Sequence, residues 1–367
     1  MCRKGGVPSG HSPFTITMRS MPNLPSHTAE LEKALALLRE SDTIVLTTHV
    51  NPDGDGIGSE LALSRALRLF LSRHVTILNP NPTPGNYEFL DAEREIRTFE
   101  PPRDESTMRD ADLIVVVDTS QPGRLRNVGD SMLRSRARRL CIDHHLDPAD
   151  FADACLIDEE ACATGEILLP LVEELTAGNV DIQMATCLYA AIMTDTGSFR
   201  YPRTDAHLHR MVARLIEYGA DPVAIYDRIY DQWSAGRFQL LGRALSGLEI
   251  LCEGRLTVMT VTREMLRDTG TTETETDNFS TYPMSIGGVV LGILFIELAD
   301  GVKMSFRSKG DVWANQLAQA FGGNGHKNAA GARVFDRPLG EIRNDVLRTT
   351  PVFLDQFPAS KRSEERT

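Results

Sequence analysis

The chain has 367 residues, 41% hydrophobic and 25% charged, which is the composition of an ordinary soluble protein long enough for two domains. Its formal net charge of −12 argues against a protein that coats long nucleic acid, because neutralising many phosphates needs a broad basic face. The six cysteines have no C-x-x-C spacing and the longest apolar run is too short to span a bilayer, so we expect a cytoplasmic protein with no membrane partner.

The first half of the chain alternates between helical and strand patterns. Residues 1–25 contain no apolar run of signal-peptide length and are expected to be a disordered lead. Helices are predicted after a Thr28 cap and over residues 60–73, 164–175 and 182–193. One strand is predicted to end at residue 49 and a second to begin at residue 74. Two further strands are predicted over residues 112–118 and 139–145. These elements predict an α/β fold, with a doubly wound, mainly parallel sheet in a domain of residues 26–200.

The pattern changes after residue 200. Three helices are predicted over residues 206–218, 222–231 and 236–251, so residues 201–254 are expected to be a helical linker region. Residues 255–355 predict a smaller α+β domain that includes an antiparallel hairpin of residues 289–298 and 302–308. In this domain a helix from residue 313, a loop over residues 322–331 and a last helix over residues 339–355 are expected, and residues 356–367 are expected to be a disordered tail.

The segment HVNPDGDGIGS, residues 49–59, is expected to be the loop between the first strand and the next helix. It carries His49, Asp53 and Asp55, and the two carboxylates can converge because residues two apart in an extended chain point the same way. Its glycines are expected to let the backbone curl so that His49 reaches the same ion. Imidazole with paired carboxylates is typical of a divalent-metal site, although an acidic turn with an incidental histidine is the alternative for this loop alone.

Further acids and imidazoles stand at the ends of other predicted elements. The candidate metal ligands are His49, Asp53, Asp55, Asp118, His144 and Asp195. In a parallel sheet all carboxyl ends open on one edge, so these residues are expected to meet there and to hold two ions if Asp118, on the most central strand, bridges them. Oxygen and nitrogen ligands without cysteine favour Mn²⁺, with Mg²⁺ as the less suitable ion.

Two such ions are the arrangement for in-line phosphoester hydrolysis. His145 is expected to project differently from His144 and to donate a proton or a hydrogen bond to the phosphate. Asp143 is expected to orient a ligand imidazole.

These motifs, together with VDT at 117–119, DHH at 143–145 and TDTG at 194–197, resemble in order and approximate spacing those of the DHH phosphoesterase superfamily. FRS at 306–308 and GGNGH at 322–326, followed by AAG, resemble the DHHA1 domain that follows in that family. The resemblance implies one Mn²⁺ on His49, Asp53 and Asp118. It implies the other on Asp55, Asp118, His144 and Asp195.

The resemblance also implies that the second domain holds the far end of the substrate across a cleft between the domains. The residues implied are Arg307, Ser308, Gly323, Gly325 and His326. An arginine fork, a hydroxyl and exposed backbone N–H groups suit a phosphate, although a helix C-terminal turn and a solvated hairpin end account for these residues singly. Asn324 stands where the family usually has glycine, and we expect the loop to survive this change because asparagine tolerates left-handed backbone.

Within the family the two-domain chain is most similar to the nanoRNase/pAp phosphatase group. That similarity implies hydrolysis of short oligonucleotides and of 3′-phosphoadenosine 5′-phosphate (pAp), partners that an acidic protein can bind in a metal-lined pocket. Two alternatives remain: a family phosphodiesterase for other dinucleotides or short polyphosphate, and a non-catalytic nucleotide-binding regulator. A homodimer is left open.

Overall fold

The structure is a computed structural model that describes residues 28–357. Contacts divide the chain into two compact units, the first ending at Gln232 and the second beginning at Trp233. Each unit has its own sheet and its own hydrophobic cores. None of the helices in residues 28–357 combines the length and the apolar character that crossing a membrane requires.

The first unit alternates helices and strands. Its described helices are α1 (Thr28–Glu40), α2 (Gly54–Leu71), α3 (Glu105–Asp110), α4 (Arg126–Arg134), α5 (Thr164–Leu175), α6 (Ile182–Asp195), α7 (Ala206–Glu217) and α8 (Pro222–Tyr230). Its strands are β1 (Thr43–Thr47), β2 (His74–Asn79), β3 (Ile96–Thr98), β4 (Leu113–Val117), β5 (Arg138–Asp143) and β6 (Ala154–Ile157). Short 3-10 helices cover Gly85–Tyr87 and Pro122–Leu125.

The sheet of the first unit is parallel throughout and has the order β3-β2-β1-β4-β5-β6. All five residues of β4 are buried, as a strand covered on both faces requires. Alternate residues enter different cores: Ile44 packs with α1, α2, α5 and α6, whereas its neighbour Val45 packs with α3 and α4. The predicted doubly wound sheet is therefore confirmed, and its strand order reverses between β1 and β4.

Helix α2 begins at Gly54, six residues before the predicted start. Asp53 causes the early start, because its carboxylate accepts hydrogen bonds from the N–H groups of Asp55 and Gly56 and so caps the helix. The glycines of the segment therefore lie in a helix and none has positive φ, whereas Asn51 in the preceding turn does, at 54°. The expectation that glycine flexibility curls this segment was wrong.

The second unit has a mixed sheet. Its described helices are α9 (Ala235–Ser246), α10 (Arg263–Thr269), α11 (Ala314–Gln319) and α12 (Leu339–Leu354), with 3-10 helices at Glu273–Thr276 and Phe279–Ser285. Its strands are β7 (Glu249–Leu251), β8 (Leu256–Val261), β9 (Leu291–Leu298), β10 (Gly301–Ser308), β11 (Asn324–His326) and β12 (Ala329–Phe335). The sheet order is β11-β12-β10-β9-β8-β7, with only the β8–β9 pair parallel. The predicted antiparallel hairpin is β9 and β10.

The predicted loop over residues 322–331 is largely a second hairpin, formed by β11 and β12. Asn324 pairs with Gly331 in this hairpin, and it is Gly325, with φ of 148°, that needs the conformational freedom of glycine. Asn324 itself therefore does not need left-handed backbone.

The segment expected as a linker, residues 201–254, is divided between the units. Helices α7 and α8 pack on the core of the first unit, whereas α9 packs on β8 of the second unit and ends before β7. The predicted domain limits and the predicted cleft stay predictions. The expected lead (1–25) and all but the first two residues of the expected tail lie outside the described residues.

Candidate metal centre

The carboxyl edge of the first sheet gathers side chains from five elements. Asp118 directly follows β4 and His144 directly follows β5. His49 lies in the turn after β1, Asp55 in the first turn of α2, and Asp195 at the last residue of α6. Strands β1 and β4 flank the point where the strand order reverses, which is where open α/β sheets bind ligands.

One group of donors consists of His49, Asp53 and Asp118, with one ligand atom from each lying within 4.8 Å of the others. The Nε2 atom of His49 is 3.2 Å from Asp118 Oδ2 and 3.8 Å from Asp53 Oδ2. The other ring nitrogen, Nδ1, lies 2.9 Å from the Val50 carbonyl, to which it donates. This hydrogen bond leaves Nε2 of the neutral imidazole as the atom that can bind a metal ion.

A second group consists of Asp55, His144 and Asp195. The Nε2 atom of His144 lies 3.3 Å from Asp195 Oδ2 and 3.8 Å from Asp55 Oδ2. Its Nδ1 atom lies 3.3 Å from the carbonyl of Ala161, the acceptor that fixes its tautomer. The two groups therefore present imidazole nitrogens in the same way.

Asp118 contacts both donor groups: one of its carboxylate oxygens faces the first group and the other oxygen faces the second. Oδ2 faces His49, and Oδ1 lies 3.6 Å from His144 Nε2 and 3.1 Å from the Thr164 hydroxyl, which donates to it. The residue has φ of 61°, a left-handed conformation that is uncommon outside glycine and that Asp and Asn tolerate best. Backbone strain of this kind concentrates at functional sites. Asp118 therefore lies between the two donor groups, and its role as a bridging ligand stays a prediction.

The N-terminus of α5 holds the carboxylate of Asp55 in place. Asp55 accepts the N–H groups of Thr164 and Gly165 at the start of α5, at 2.6 and 2.9 Å, and the Ser59 hydroxyl lies 3.3 Å away. The sequence predicted a helix at Thr164 but no role for it. A threonine and a glycine at a predicted helix start were the available signal, since unpaired N–H groups there bind anions.

Asp143 does not have the predicted arrangement. Its Oδ1 atom accepts a hydrogen bond from His145 Nδ1 at 2.7 Å and from the backbone N–H of His144 at 2.8 Å. Asp143 thus orients His145 and not the imidazole of His144, because successive side chains at a strand end point in different directions. His145 is part-exposed and lies beside the His144 ring, with 4.6 Å between the ring centroids.

The electrostatics of the site reflect crowded acids. Burial and the carboxylates of Asp118 and Asp195 raise the pKa of Asp55 well above its usual range. Burial, followed by Asp118 and Asp53, raises the pKa of Asp195 to about 7. Burial alone would lower the pKa of His49, but hydrogen bonds to Asp118 and Asp53 reverse this and raise it to about 10. The charged forms of Asp55 and Asp195 are therefore disfavoured, and a bound cation would relieve the repulsion.

The remaining imidazoles differ in charge preference. Burial lowers the pKa of His144, which favours the neutral form that binds metals. Burial would also lower the pKa of His145, but Asp143 overcomes this and raises it. The carboxyl of Asp143 has a lowered pKa because its bond to His145 outweighs burial. Of these two imidazoles, His145 is therefore the one better suited to carry a proton.

The donor set fits divalent cations. Ligand atoms each about 2.1 Å from one ion lie about 3 to 3.5 Å apart, and the closest contacts between donors of different residues in both groups are of this size. Four carboxylates and two imidazoles without a thiolate suit Mn²⁺ or Mg²⁺. His49, Asp53 and Asp118 would hold one ion, and Asp55, His144 and Asp195 with Asp118 the other.

We expect metal binding and fold stability to depend on pH in opposite ways between pH 6.5 and 8. The raised pKa values of Asp195 and His49 mean that the folded, metal-free protein binds more protons here than the unfolded chain, so its stability falls as the pH rises. Each such proton contributes at most about 1.4 kcal/mol per pH unit. A cation displaces these protons, so the gain in Tm given by saturating Mn²⁺ should grow with pH.

Calorimetry of chelator-treated and Mn²⁺-loaded protein at several pH values measures both slopes. Asp195→Asn should flatten the metal-free slope, since it removes one of the titrating groups. A Mn²⁺-induced gain in Tm that stays constant from pH 6.5 to 8 would contradict the prediction.

The residues predicted to bind substrate lie in the second unit. Arg307 and Ser308 end β10, and Arg307 donates to the Phe306 carbonyl at 3.2 Å. The Ser308 hydroxyl donates to the Val312 carbonyl at 2.5 Å, so its proton is used within the loop. Gly323 and Gly325 lie at β11, and a Cβ at either would collide with the backbone of β12. The side chain of His326 lies outside what the structure describes.

Fold and donor set together define a doubly wound α/β protein with a candidate divalent-metal centre, followed by a unit with a mixed sheet. The family model described as "DHH family, N-terminal domain" matches residues 43–192, and that of the DHHA1 domain matches residues 254–348. The bifunctional oligoribonuclease and PAP phosphatase NrnA of Thermus thermophilus is 30% identical over 313 residues, which cover 83% of this chain and 90% of that protein. The chain therefore belongs to the DHH family and carries a DHHA1 domain, as the motifs predicted.

Two other similar proteins agree with this assignment. The bifunctional oligoribonuclease and PAP phosphatase NrnA of Bacillus subtilis is 28% identical over 308 residues, covering 82% of this chain and 94% of that protein. The crystal structure of an exopolyphosphatase-related protein from Bacteroides fragilis has a TM-score of 0.82 and 27% identity. The matched region covers 89% of this chain and 97% of the Bacteroides fragilis chain, so the similarity extends over both units.

Proposed function

We propose that this protein is a phosphoester hydrolase that cleaves short oligonucleotides and removes a phosphate from pAp, using two divalent cations. The observation that carries the proposal is Asp118, whose two oxygens face His49 and His144 in separate donor groups. One carboxylate shared in this way is what two neighbouring ions need. The similarity to proteins named oligoribonuclease and PAP phosphatase supports the substrate class.

The chain's own residues have distinct roles in the proposed reaction. Bound cations would lower the pKa of a water molecule and offset negative charge on the phosphate. His145, held by Asp143, donates a hydrogen bond or a proton to the phosphate. Arg307 and the β11 hairpin of the second unit contact the rest of the nucleotide. Mn²⁺ is the preferred ion, because imidazoles are part of both donor groups.

A substrate panel tests the proposal. Wild-type protein, freed of metal by a chelator and reloaded with Mn²⁺ or Mg²⁺, is assayed on a dinucleotide, pAp, a cyclic dinucleotide and tripolyphosphate. We expect hydrolysis of the dinucleotide and pAp that is lost with chelation and restored by Mn²⁺, with the chelated protein as the matched control. Faster release of phosphate from tripolyphosphate would favour the polyphosphate alternative. Tight nucleotide binding without turnover would favour a regulator.

A cytoplasmic location stays a prediction, and a homodimer stays open.

A further inference from the structure

An exposed tryptophan lies in the second unit at a position where the fold gains little from it. Trp313 directly precedes α11, where serine, threonine, aspartate or asparagine would cap the helix, and its side chain makes no capping hydrogen bond. The side chain is 41% exposed. An indole at this position does not cap the helix, and it exposes apolar surface to water. The stability of the fold alone therefore does not account for a tryptophan here.

One lysine lies beside this indole and a second is on the same loop, in an otherwise acidic chain. The Lys327 ammonium lies 5.4 Å from the centroid of the Trp313 ring, and Lys309 is exposed on the same loop. The chain has six lysines, so two of them adjoin this one loop although the net charge is −12. Aromatic rings interleaved with cations are typical of surfaces that bind bases and phosphates of nucleotides.

The loop that carries Trp313 is held firmly. The Val312 carbonyl accepts hydrogen bonds from the Ser308 hydroxyl and from Asn328 Nδ2, at 2.5 and 3.0 Å. Asn328 also donates to the Ser308 hydroxyl at 2.9 Å and to the Gly310 carbonyl at 3.2 Å. The end of β10, the loop and the turn of the β11 hairpin are therefore tied together, and a surface fixed in advance loses little entropy when a ligand binds.

The chain's second tryptophan has a different environment. The Arg237 guanidinium covers the Trp233 ring at 3.9 Å from its centroid, and the rings of Phe238 and Phe279 lie 5.1 and 6.4 Å away. Trp233 is therefore accounted for by packing within the second unit. It serves as a matched control for Trp313.

We propose that Trp313 and Lys327 form a nucleobase-binding subsite, in which a base stacks on the indole and the ammonium pairs with a phosphate of the same nucleotide. Lys327 is available for this, because its ion pair with Asp311 is at the surface and such pairs are weak. The inference rests on the proposed nucleotide substrate. The subsite favours nucleotides over phosphate chains that lack a base.

Fluorescence of single-tryptophan proteins tests the subsite, since the chain has only two tryptophans. The full-length Trp233→Phe protein keeps Trp313 as its one tryptophan, and the full-length Trp313→Phe protein keeps Trp233. Each protein is titrated with pAp and, separately, with tripolyphosphate. A chelator is present so that neither compound is hydrolysed. We expect pAp to quench the Trp233→Phe protein saturably, tripolyphosphate to leave it unquenched, and the Trp313→Phe protein to respond little. Equal quenching by pAp of both proteins, or none in either, would overturn the subsite.

Kinetics separate the subsite from the proposed function. With Mn²⁺, Trp313→Ala should raise KM for a dinucleotide about 5- to 150-fold, the range given by loss of one base–aromatic stack. The ratio of kcat/KM for the dinucleotide to that for bis(p-nitrophenyl) phosphate should fall by a similar factor, and Trp313→Tyr should restore most of it. Nucleotide hydrolysis with an unchanged ratio would overturn the subsite and leave the function standing. Quenching by pAp without hydrolysis of any nucleotide would support the subsite and refute the function.

Discussion

Replacing Asp118 by asparagine should remove nearly all hydrolytic activity and at least one of the two proposed cations. The loss should exceed the about 10- to 100-fold that follows when a supporting partner of a metal ligand is removed, because Asp118 faces both donor groups. Asparagine keeps the shape of the side chain and tolerates the φ of 61°. Alanine would add backbone strain to the loss of charge, so asparagine is the sharper test.

Asp112→Asn is the matched control, since Asp112 lies just before β4 and Asp118 just after it. The Asp112 carboxylate accepts hydrogen bonds from the backbone and hydroxyl of Thr43, both at 2.8 Å, so this variant should lose some stability and no metal. Metal content by elemental analysis and dinucleotide hydrolysis under Mn²⁺ are the measurements. Asp118→Asn protein that keeps two ions per chain and activity within about threefold of wild type would contradict the two-ion proposal, because that loss falls far short of the range expected for a metal partner.

Replacing Gly58 by alanine should both destabilise the first unit and weaken metal binding. A Cβ at Gly58 would collide with the Cys187 carbonyl oxygen and lie 3.2 Å from the Ala191 side chain, so α2 and α6 would have to separate. Overpacking of this kind costs about 1 to 3 kcal/mol. Because α2 carries Asp55 and α6 carries Asp195, their separation would also move two candidate ligands of one ion apart.

Gly242→Ala is the control for the Gly58 variant. Gly242 lies inside α9, and a Cβ added there would have nothing within 4 Å, so alanine should stabilise the protein by about 0.5 to 1 kcal/mol. Chemical denaturation gives the free energy of unfolding, and Mn²⁺ titration gives the affinity. A Gly58→Ala protein with wild-type stability and wild-type affinity would show that the close approach of α2 and α6 does not position the site.

The convergence of candidate ligands at the carboxyl edge of the first sheet can be predicted from the sequence by a simple geometric rule. Asp118 and His144 stand directly after strands β4 and β5, whose apolar runs are evident in the sequence. Parallel strands open their carboxyl ends on the same edge, so donors at those ends must be near one another. The separate motifs also matched the DHH and DHHA1 patterns in order, which the comparisons confirm.

Sequence reasoning failed where a role depends on contacts between distant segments. Thr164 binds Asp55 and Asp118 across 109 and 46 residues, and no local pattern contains that information. Asp143 was assigned to the wrong imidazole because strand-end geometry decides which ring it meets. The short strands β3 and β11 are stabilised by pairing with neighbours and have no strong pattern of their own.

The class of fold, the candidate ligands and the family could be predicted from the amino-acid sequence, because apolar periodicity and donors at element ends are local properties. The folded arrangement was needed to show which oxygen of Asp118 faces which imidazole, why Gly58 cannot carry a side chain, and where Trp313 lies relative to Lys327. Those facts depend on distances between segments far apart in the chain, and such distances are set when helices and strands pack together.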